Sequence, residues 1–491
     1  MSHHSSALRL RSARCLKAGA LLLALAAAPS SLLAQRDLKE IPSIDPKVEQ
    51  DSFKLAPGLE VNLFAQDPLI RKPIQMAWDE RGRLWVASSA IYPQIIPGQQ
   101  QKDQIVILED TDGDGKADKS TVFFEGLLIP TGILPGDGGV YVANSTELVF
   151  MKEGPDGRAA GTTVLLSGFG TEDTHHILHG FKRGHDGCLY MNQSVYIHTH
   201  AETPFGVRRL MGSGIWQFRP ETGRLEVFTM GQVNPWGHIF DYWGQSFTTD
   251  GAYGEGINYA FPGATFLCLP NQLPRILKGL NPGQPKQCGL EVISGRHFSE
   301  QWQGDLITND FRGHRVNRFK VRDQNSGFAS QQQEDVVRSS HGSFRPIDVK
   351  MGPDGALYIA DWFNPIIQHG EVDFRDERRD HTHGRIWRIT EKGRPLCPKV
   401  NYTKLSVEEL VNLLKEPEQW VRLEAKQELK RRKPANLIEV LKAAVEKSDD
   451  PHLRIEALWA AETAGAGDAS FLLNKSVTNS PQALSAYVRL A

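Results

Sequence analysis

Between residues 53 and 394 the chain repeats one phrase: an apolar stretch, an Asp/Gly turn, then Leu or Val, an aromatic, a β-branched residue and Ala. The clearest copies are Met76–Ala87 and Val349–Ala360. Phe181–Tyr190 is a third, and Ile133–Ala143, Ile239–Thr248 and Trp302–Thr308 are weaker ones. β-Branched and aromatic residues on both sides of a Gly turn have the chemistry of a β-hairpin. Six such hairpins, at a spacing of roughly 50–60 residues, predict an all-β six-bladed β-propeller. A β-sandwich is the alternative, and a fixed repeat suits radial blades better. Glu60–Phe64 and Gly384–Thr390 read as outer strands near the two ends, where one of them is expected to close the ring.

After Pro395 the period changes. Gly becomes rare, and Leu405–Leu414, Trp420–Lys430, Leu437–Glu446 and Leu453–Ala461 carry apolar residues at helical spacing, punctuated by Pro417, Pro434 and Pro451. Glu418–Ala425 and Asp450–Ala457 are two copies of one pattern, each with an acidic residue where a helix N-terminus favours negative charge. An all-α, HEAT-like solenoid is expected over 395–491, continuing in a longer natural protein, because no polar terminal cap is visible.

The N-terminus adds export. Arg9, Arg11, Arg14 and Lys17 precede the apolar run Ala18–Ala28, and small residues follow up to Ala34. That order reads as a signal peptide over 1–34, with a linker over 35–52 and destination periplasm or cell surface. The run is too short for a comfortable span, so no membrane span is expected in the mature chain. The formal net charge of −2 gives no nucleic-acid footprint. Cys188, Cys268, Cys288 and Cys397 permit disulfides or buried thiols, and the absence of Cys-x-x-Cys-His excludes a covalent haem site in this sequence.

Chemistry is concentrated in two places. Asp110, Asp112, Asp114 and Asp118 fall at loop positions suited to calcium, with Gly115 at the bend and the Lys116 carbonyl at position 7. Position 12 is Thr121 rather than Glu, so a structural calcium loop is expected rather than an EF-hand. The second place is His175 and His176, with His198 and His200 across the third hairpin. Such residues can share the channel of a propeller, where a His can act as general base. His238, Asp361 and Trp362 are further pocket candidates. Arg345 is a candidate holder of an anion, Trp236, Tyr242 and Trp243 read as blade packing, and Asp376–Asp380 reads as a solvated loop.

Four segments, Glu109–Asp118, Asn192–His200, Asn234–Gly237 and Asp380–Trp387, give the chain a resemblance to exported planctomycete-type membrane-bound dehydrogenases. The resemblance covers residues 50 to 490. It implies a propeller followed by HEAT-like helices, with a cytochrome c domain as a frequent companion. More distantly the propeller is similar to soluble quinoprotein glucose and sorbosone dehydrogenases, which implies pyrroloquinoline quinone (PQQ) with calcium. His176 lies eight residues before Gly184, at the position of the catalytic base in that group. Asn234 and Arg345 match cofactor-binding positions, whereas Val233 and Ile347 stand where that group has Arg. The resemblance implies oxidation of a sugar or sugar-derived alcohol or aldehyde, with electrons passed to a haem partner. The alternatives are a non-catalytic glycan- or protein-binding scaffold and a calcium-dependent hydrolase or lactonase.

Overall fold

Six antiparallel sheets follow one another around an axis in the computed structural model, which describes residues 38–251, 256–266, 276–281, 286–367, 372–466 and 475–490. The expected signal peptide and Cys268 lie outside the described residues. The innermost strands are Pro73–Trp78, Pro130–Gly136, His179–Arg183, His238–Phe240, Gln287–Val292 and Pro346–Met351. Each neighbours the next, and the last returns to the first, so the ring is closed. This is the six-bladed propeller. Leu59–Gln66 is the outermost strand of the last blade, paired with Arg385–Glu391, so the two predicted outer strands together close the ring. Phe53–Leu55 pairs with Val337–Ser339 of the fifth blade, so the N-terminal segment is stitched to two blades.

The second strand of each blade explains the repeated phrase. Leu84–Ser88, Leu189–Gln193, Leu306–Asp310 and Leu357–Asp361 are buried along their whole length. Both faces of such a strand meet another blade, so it opens with consecutive apolar residues rather than an alternation, and in Leu189–Gln193 and Leu306–Asp310 only the ends nearest the axial loops turn polar. Trp78, Val86 and Tyr358 share one inter-blade core; Trp85, Phe123 and Val142 share the next. The turn preceding these strands is also fixed by chemistry. Asp79 accepts the N–H groups of Arg81 and Arg83 and the Trp85 indole N–H, while Gly82 takes the left-handed backbone at φ 76°.

Residues 35–52, read as a linker, include a docked helix, α1 (Pro46–Asp51), capped by Asp45, with Glu49 buried in an ion pair with Arg385. At the other end lie α2 (Val407–Asn412), α3 (Gln419–Arg432), α4 (Leu437–Glu446) and α5 (Pro451–Ala464). The two copies of the sequence pattern fall on the first turns of α3 and α5, which pack together. These helices sit on the inner-hairpin turns. Gln419 donates to the Phe240 carbonyl, His452 Nε2 meets the Tyr242 carbonyl at 2.8 Å, and Trp459 stacks on His185. Tyr242 and Trp243 therefore pack against helices, not blades, with Tyr242 stacked on His452. Between α3 and α5, Glu456 is wholly buried and receives Arg422 at 2.8 Å and Lys426 at 2.6 Å. Cys188, Cys288 and Cys397 are free, buried thiols. Among the described residues no helix is long and apolar enough to cross a membrane.

Candidate functional site: an axial chamber with an acid–histidine pair at its mouth

Five of the six innermost strands begin with a β-bulge. The register slips between Pro73 and Gln75, Pro130 and Gly132, His179 and Lys182, Cys288 and Glu291, and Pro346 and Asp348. A bulge re-aims the extra residue. The residues involved, Ile74, Thr131, Phe181, Leu290 and Ile347, all line one axial chamber of about 150 Å³. Above them Tyr92, His175, Trp236, Phe311, Trp362 and Ile367 form its mouth. The chamber is therefore apolar and aromatic. Trp236 lines it, contrary to its reading as blade packing.

His175 and His176 both turn on Asp173. His175 Nδ1 is 2.6 Å from Asp173 Oδ1, and His176 Nδ1 is 2.9 Å from Oδ2. Partial burial pushes the Asp173 carboxyl up, but the two imidazoles and the His175 backbone N–H outweigh it and hold the carboxyl far below its usual range. Adjacent residues cannot both face the axis. His175 lines the chamber, with its ring against Tyr92 and Phe374. His176 is buried behind it against Tyr196 and does not line it. His198 and His200 lie outside the chamber, on the exposed hairpin His198–Thr203/Gly206–Met211, where they meet Glu172 and Arg209.

The lower wall carries charge and imidazole. Asp348 accepts from Lys350 at 2.7 Å and from the Met76 N–H at 3.0 Å. His238 bonds Ser246 through Nε2, and burial followed by the Lys182 charge lowers its pKa to about 3, leaving it neutral. His179 is likewise held neutral by burial, with its pKa at about 4.

The remaining candidates build the rim rather than the chamber. Arg345 is fully buried and donates to the carbonyls of Asn364, Phe311 and Pro365. Its guanidinium is committed to the loops, so it is not placed to hold an anion in the chamber. Asp361 accepts the N–H groups of Arg345 and Phe363, and burial raises its pKa to about 6. Asn234 is buried behind Trp236, its N–H bonded to Asp250. Lys72, which the sequence reading did not single out, donates to the carbonyls of Trp362 and Phe363 and lies 4.2 Å over the Trp362 ring. Asp376–Asp380 is not simply a solvated loop: Arg379 is only 5% exposed, and Asp380 lies 3.6 Å from buried Lys72.

The aspartate loop is on the outside. Carboxylate oxygens of Asp110, Asp112 and Asp118 lie within 4.8 Å of one another and could hold a metal ion. Asp114 stands apart from that group, its Oδ1 accepting the Lys116 N–H. Asn62 donates to the Gly115 carbonyl and the Ala117 N–H bonds Phe64, so the loop of the first blade is tied to the last. Hard carboxylate oxygens at this spacing suit calcium.

The family described as a domain of unknown function (DUF7133) matches residues 45–275 and 282–393, the N-terminal helix and the propeller. The chain belongs to this DUF7133 family. No curated protein matches the chain. Among solved structures this DUF7133 protein is similar to an oxidoreductase (glucose dehydrogenase) from Thermus thermophilus, at 20% identity and TM-score 0.47 over 68% of this chain and 100% of that one. It is also similar to the PQQ domain of pyranose dehydrogenase from Coprinopsis cinerea, at 12% identity and TM-score 0.47, over 69% and 97% of the two chains. A third is the PQQ-bound aldose sugar dehydrogenase of Streptomyces coelicolor, at 16% and 0.42, over 68% and 100%.

Proposed function

We propose that this protein is an oxidoreductase of the propeller kind, oxidising a hydroxyl or aldehyde carbon of a saccharide at the chamber mouth. The supporting observation is the Asp173–His175 pair. An ionised Asp173 holds the Nδ1 proton of His175, so the opposite ring nitrogen is the basic one. That nitrogen would take the proton of an alcohol, or of an aldehyde's hydrate, as hydride passes from the carbon to a quinone acceptor and the C–O bond becomes a carbonyl. Trp236, Phe311 and Trp362 offer flat apolar walls for the C–H face of a sugar. His176, the base the spacing pointed to, supports the pair by sharing Asp173.

PQQ is a flat tricarboxylate. The walls fit its rings, but the cations do not fit its carboxylates. Lys350 is bonded to Asp348, Arg345 is spent on carbonyls, and Ile347 brings an aliphatic side chain to the wall. A resident PQQ does not fit this chamber. The apolar walls instead suit an uncharged quinone as acceptor, with a haem-bearing partner as the next electron carrier. Calcium at Asp110, Asp112 and Asp118 staples the first blade to the last. Export to the periplasm or cell surface and HEAT-like stacking of the helices complete the reading.

The test is dye reduction by the purified protein over a panel of aldoses and alditols, with calcium and a soluble quinone. Turnover lost in Asp173→Asn and His175→Gln supports the reading. No turnover on any sugar, with no saturable sugar binding, removes it. The commitment of Arg345 to carbonyls favours a second reading, a non-catalytic saccharide-binding scaffold, which predicts binding without turnover. The hydrolase or lactonase reading lacks support: among the described residues the acidic group able to hold a metal is at the seam, and Asp348 is paired with Lys350.

A further inference from the structure

We propose that the cleft beside the chamber binds an acidic residue of a longer saccharide, whose carboxylate or sulfate oxygen is received by Arg379. The proposal rests on the saccharide reading above and adds the substrate's charge and length. The cleft, of about 1210 Å³, lies between the loop after Leu84–Ser88 and the segment 372–381. Arg379 lines it. Its Nε donates to the Asp373 carbonyl and its Nη2 to the Val372 carbonyl, both at 2.9 Å, which clamps the guanidinium plane. Nη1 is buried and has no partner. A buried cationic donor left unpaired is costly, and an arriving oxyanion removes that cost. Four acids also line the cleft, and none is bonded to Nη1: Glu125 accepts from Gln104, and Glu377 is exposed. Asp376 is bonded to Arg378, and Asp103 is occupied by Ser89 and the Ile91 and Ile129 N–H groups.

The rest of the cleft fits a sugar acid. Exposed Arg71 and Lys102 add positive charge, and Gln94 and Gln100 offer amides that can both donate to and accept from hydroxyls. Phe374 connects the two cavities. It lines the cleft, lies 5.9 Å from the Arg379 guanidinium and stacks on His175. A chain held by Arg379 therefore runs toward the acid–histidine pair.

The test is calorimetric binding to the full chain of three oligosaccharides of equal length: neutral, uronate-bearing and sulfated. One or both acidic ligands should bind at least tenfold tighter than the neutral one, and the pair tells which oxyanion is read. Arg379→Lys should lose about tenfold. Because Arg379 also braces its own segment, Lys102→Glu, at an exposed position, provides the independent check and should weaken acidic but not neutral ligands. Equal affinity for neutral and acidic ligands overturns the proposal. So does saturable PQQ binding that Arg379→Lys abolishes, with no binding of acidic sugars. Acidic binding without turnover would retain this site and remove the oxidoreductase. Turnover of neutral sugars with no acid preference would do the reverse.

Discussion

The two ends of the propeller axis are served by the same inner strands and use their polar groups in opposite ways. At the turn end, α3 and α5 cover the hairpins, and the charge cluster between them is matched inside the chain, with Glu456 taking both Arg422 and Lys426. Left-handed glycines there admit helix side chains: a Cβ on Gly244 would meet Trp459 at 2.8 Å, and one on Gly187 would meet Thr463 at 3.0 Å. At the loop end the bulges break the ladders. Gly180 and Gly289 make room for Asn192 and Asn309, and neither amide, nor that of Gln287, has a partner for either of its polar atoms. Buried polar groups are nearly always satisfied. The turn end also holds single unpaired atoms, Arg422 Nη2 and His185 Nδ1 among them, but the amides left wholly without partners gather at the loop end, which marks it as the place where something from outside completes the molecule. The turn end supplies stability, and the loop end supplies the site.

The largest expected effects separate these ends. Asp173→Asn and His175→Gln should each lower turnover by about 10²–10⁴-fold, the usual worth of a positioned base, and His175→Gln should leave urea unfolding near wild type, whereas Asp173→Asn also loses the stability its depressed carboxyl contributes. Glu456→Gln should do the opposite. It leaves two buried cations without their anion, costs about 3–5 kcal/mol, and leaves turnover per folded molecule unchanged. If His175→Gln destabilised the fold as much as Glu456→Gln, the division of labour between the ends would be wrong.

The fold was legible because each hairpin carries its own chemistry. The Asp79–Gly82 turn and the uninterrupted run Leu84–Ser88 are local facts, and the change of period after Pro395 is another. The chamber was only half legible. The pair His175–His176 could be found by composition, but which of them faces the axis depends on the loop's path. The spacing to Gly184 pointed to His176, and the backbone turns His175 inward instead. Bulges leave no mark in apolar patterning, so Ile74, Thr131 and Ile347 could not be foreseen as lining. Arg345 misled because a buried Arg and a ligand-binding Arg look alike in sequence, and only its three carbonyl partners decide the matter. Arg379 was hidden in a charged run, where burial of one residue in five has no periodic signal.

A third region tests whether the two ends share one frame. The aspartate loop joins the first blade to the last, so metal bound there should stabilise the ring without favouring either end. Removing calcium with a chelator should lower stability by about 2–3 kcal/mol if the ion was present near 100 times its dissociation constant. Asp112→Asn should abolish that difference. Thermal scans with and without metal, read at the helical tryptophans and by saccharide affinity, should move together. A shift confined to saccharide affinity would place the ion in the site rather than in the frame.

The smallest effect comes from two glutamates at the same place in the repeated helical pattern. Glu456 has cations around it. Burial raises its pKa, but the Lys426 and Arg422 charges outweigh this and hold the carboxyl far below 4.5, so its contribution is present at neutral pH and lost on acidification. Glu424, on α3, faces the propeller turns. Burial, with Glu80 next, raises its pKa from 4.5 to about 8, and Asp79 adds to this while Arg183 and Arg431 oppose it. A raised acid keeps its proton in the fold and releases it on unfolding. Its contribution is therefore complete below about pH 4.5 and fades as pH climbs through 8. Glu424→Gln fixes the neutral form. The variant should melt with wild type at pH 5 and about 2–4 °C above it at pH 8.5, by the usual scaling for a chain of this size. Sugar affinity at the far end of the axis should not follow that pH curve. A gap of equal size at both pH values would mean that Glu424 is not protonated in the fold, and that the turn end has matched this charge as well.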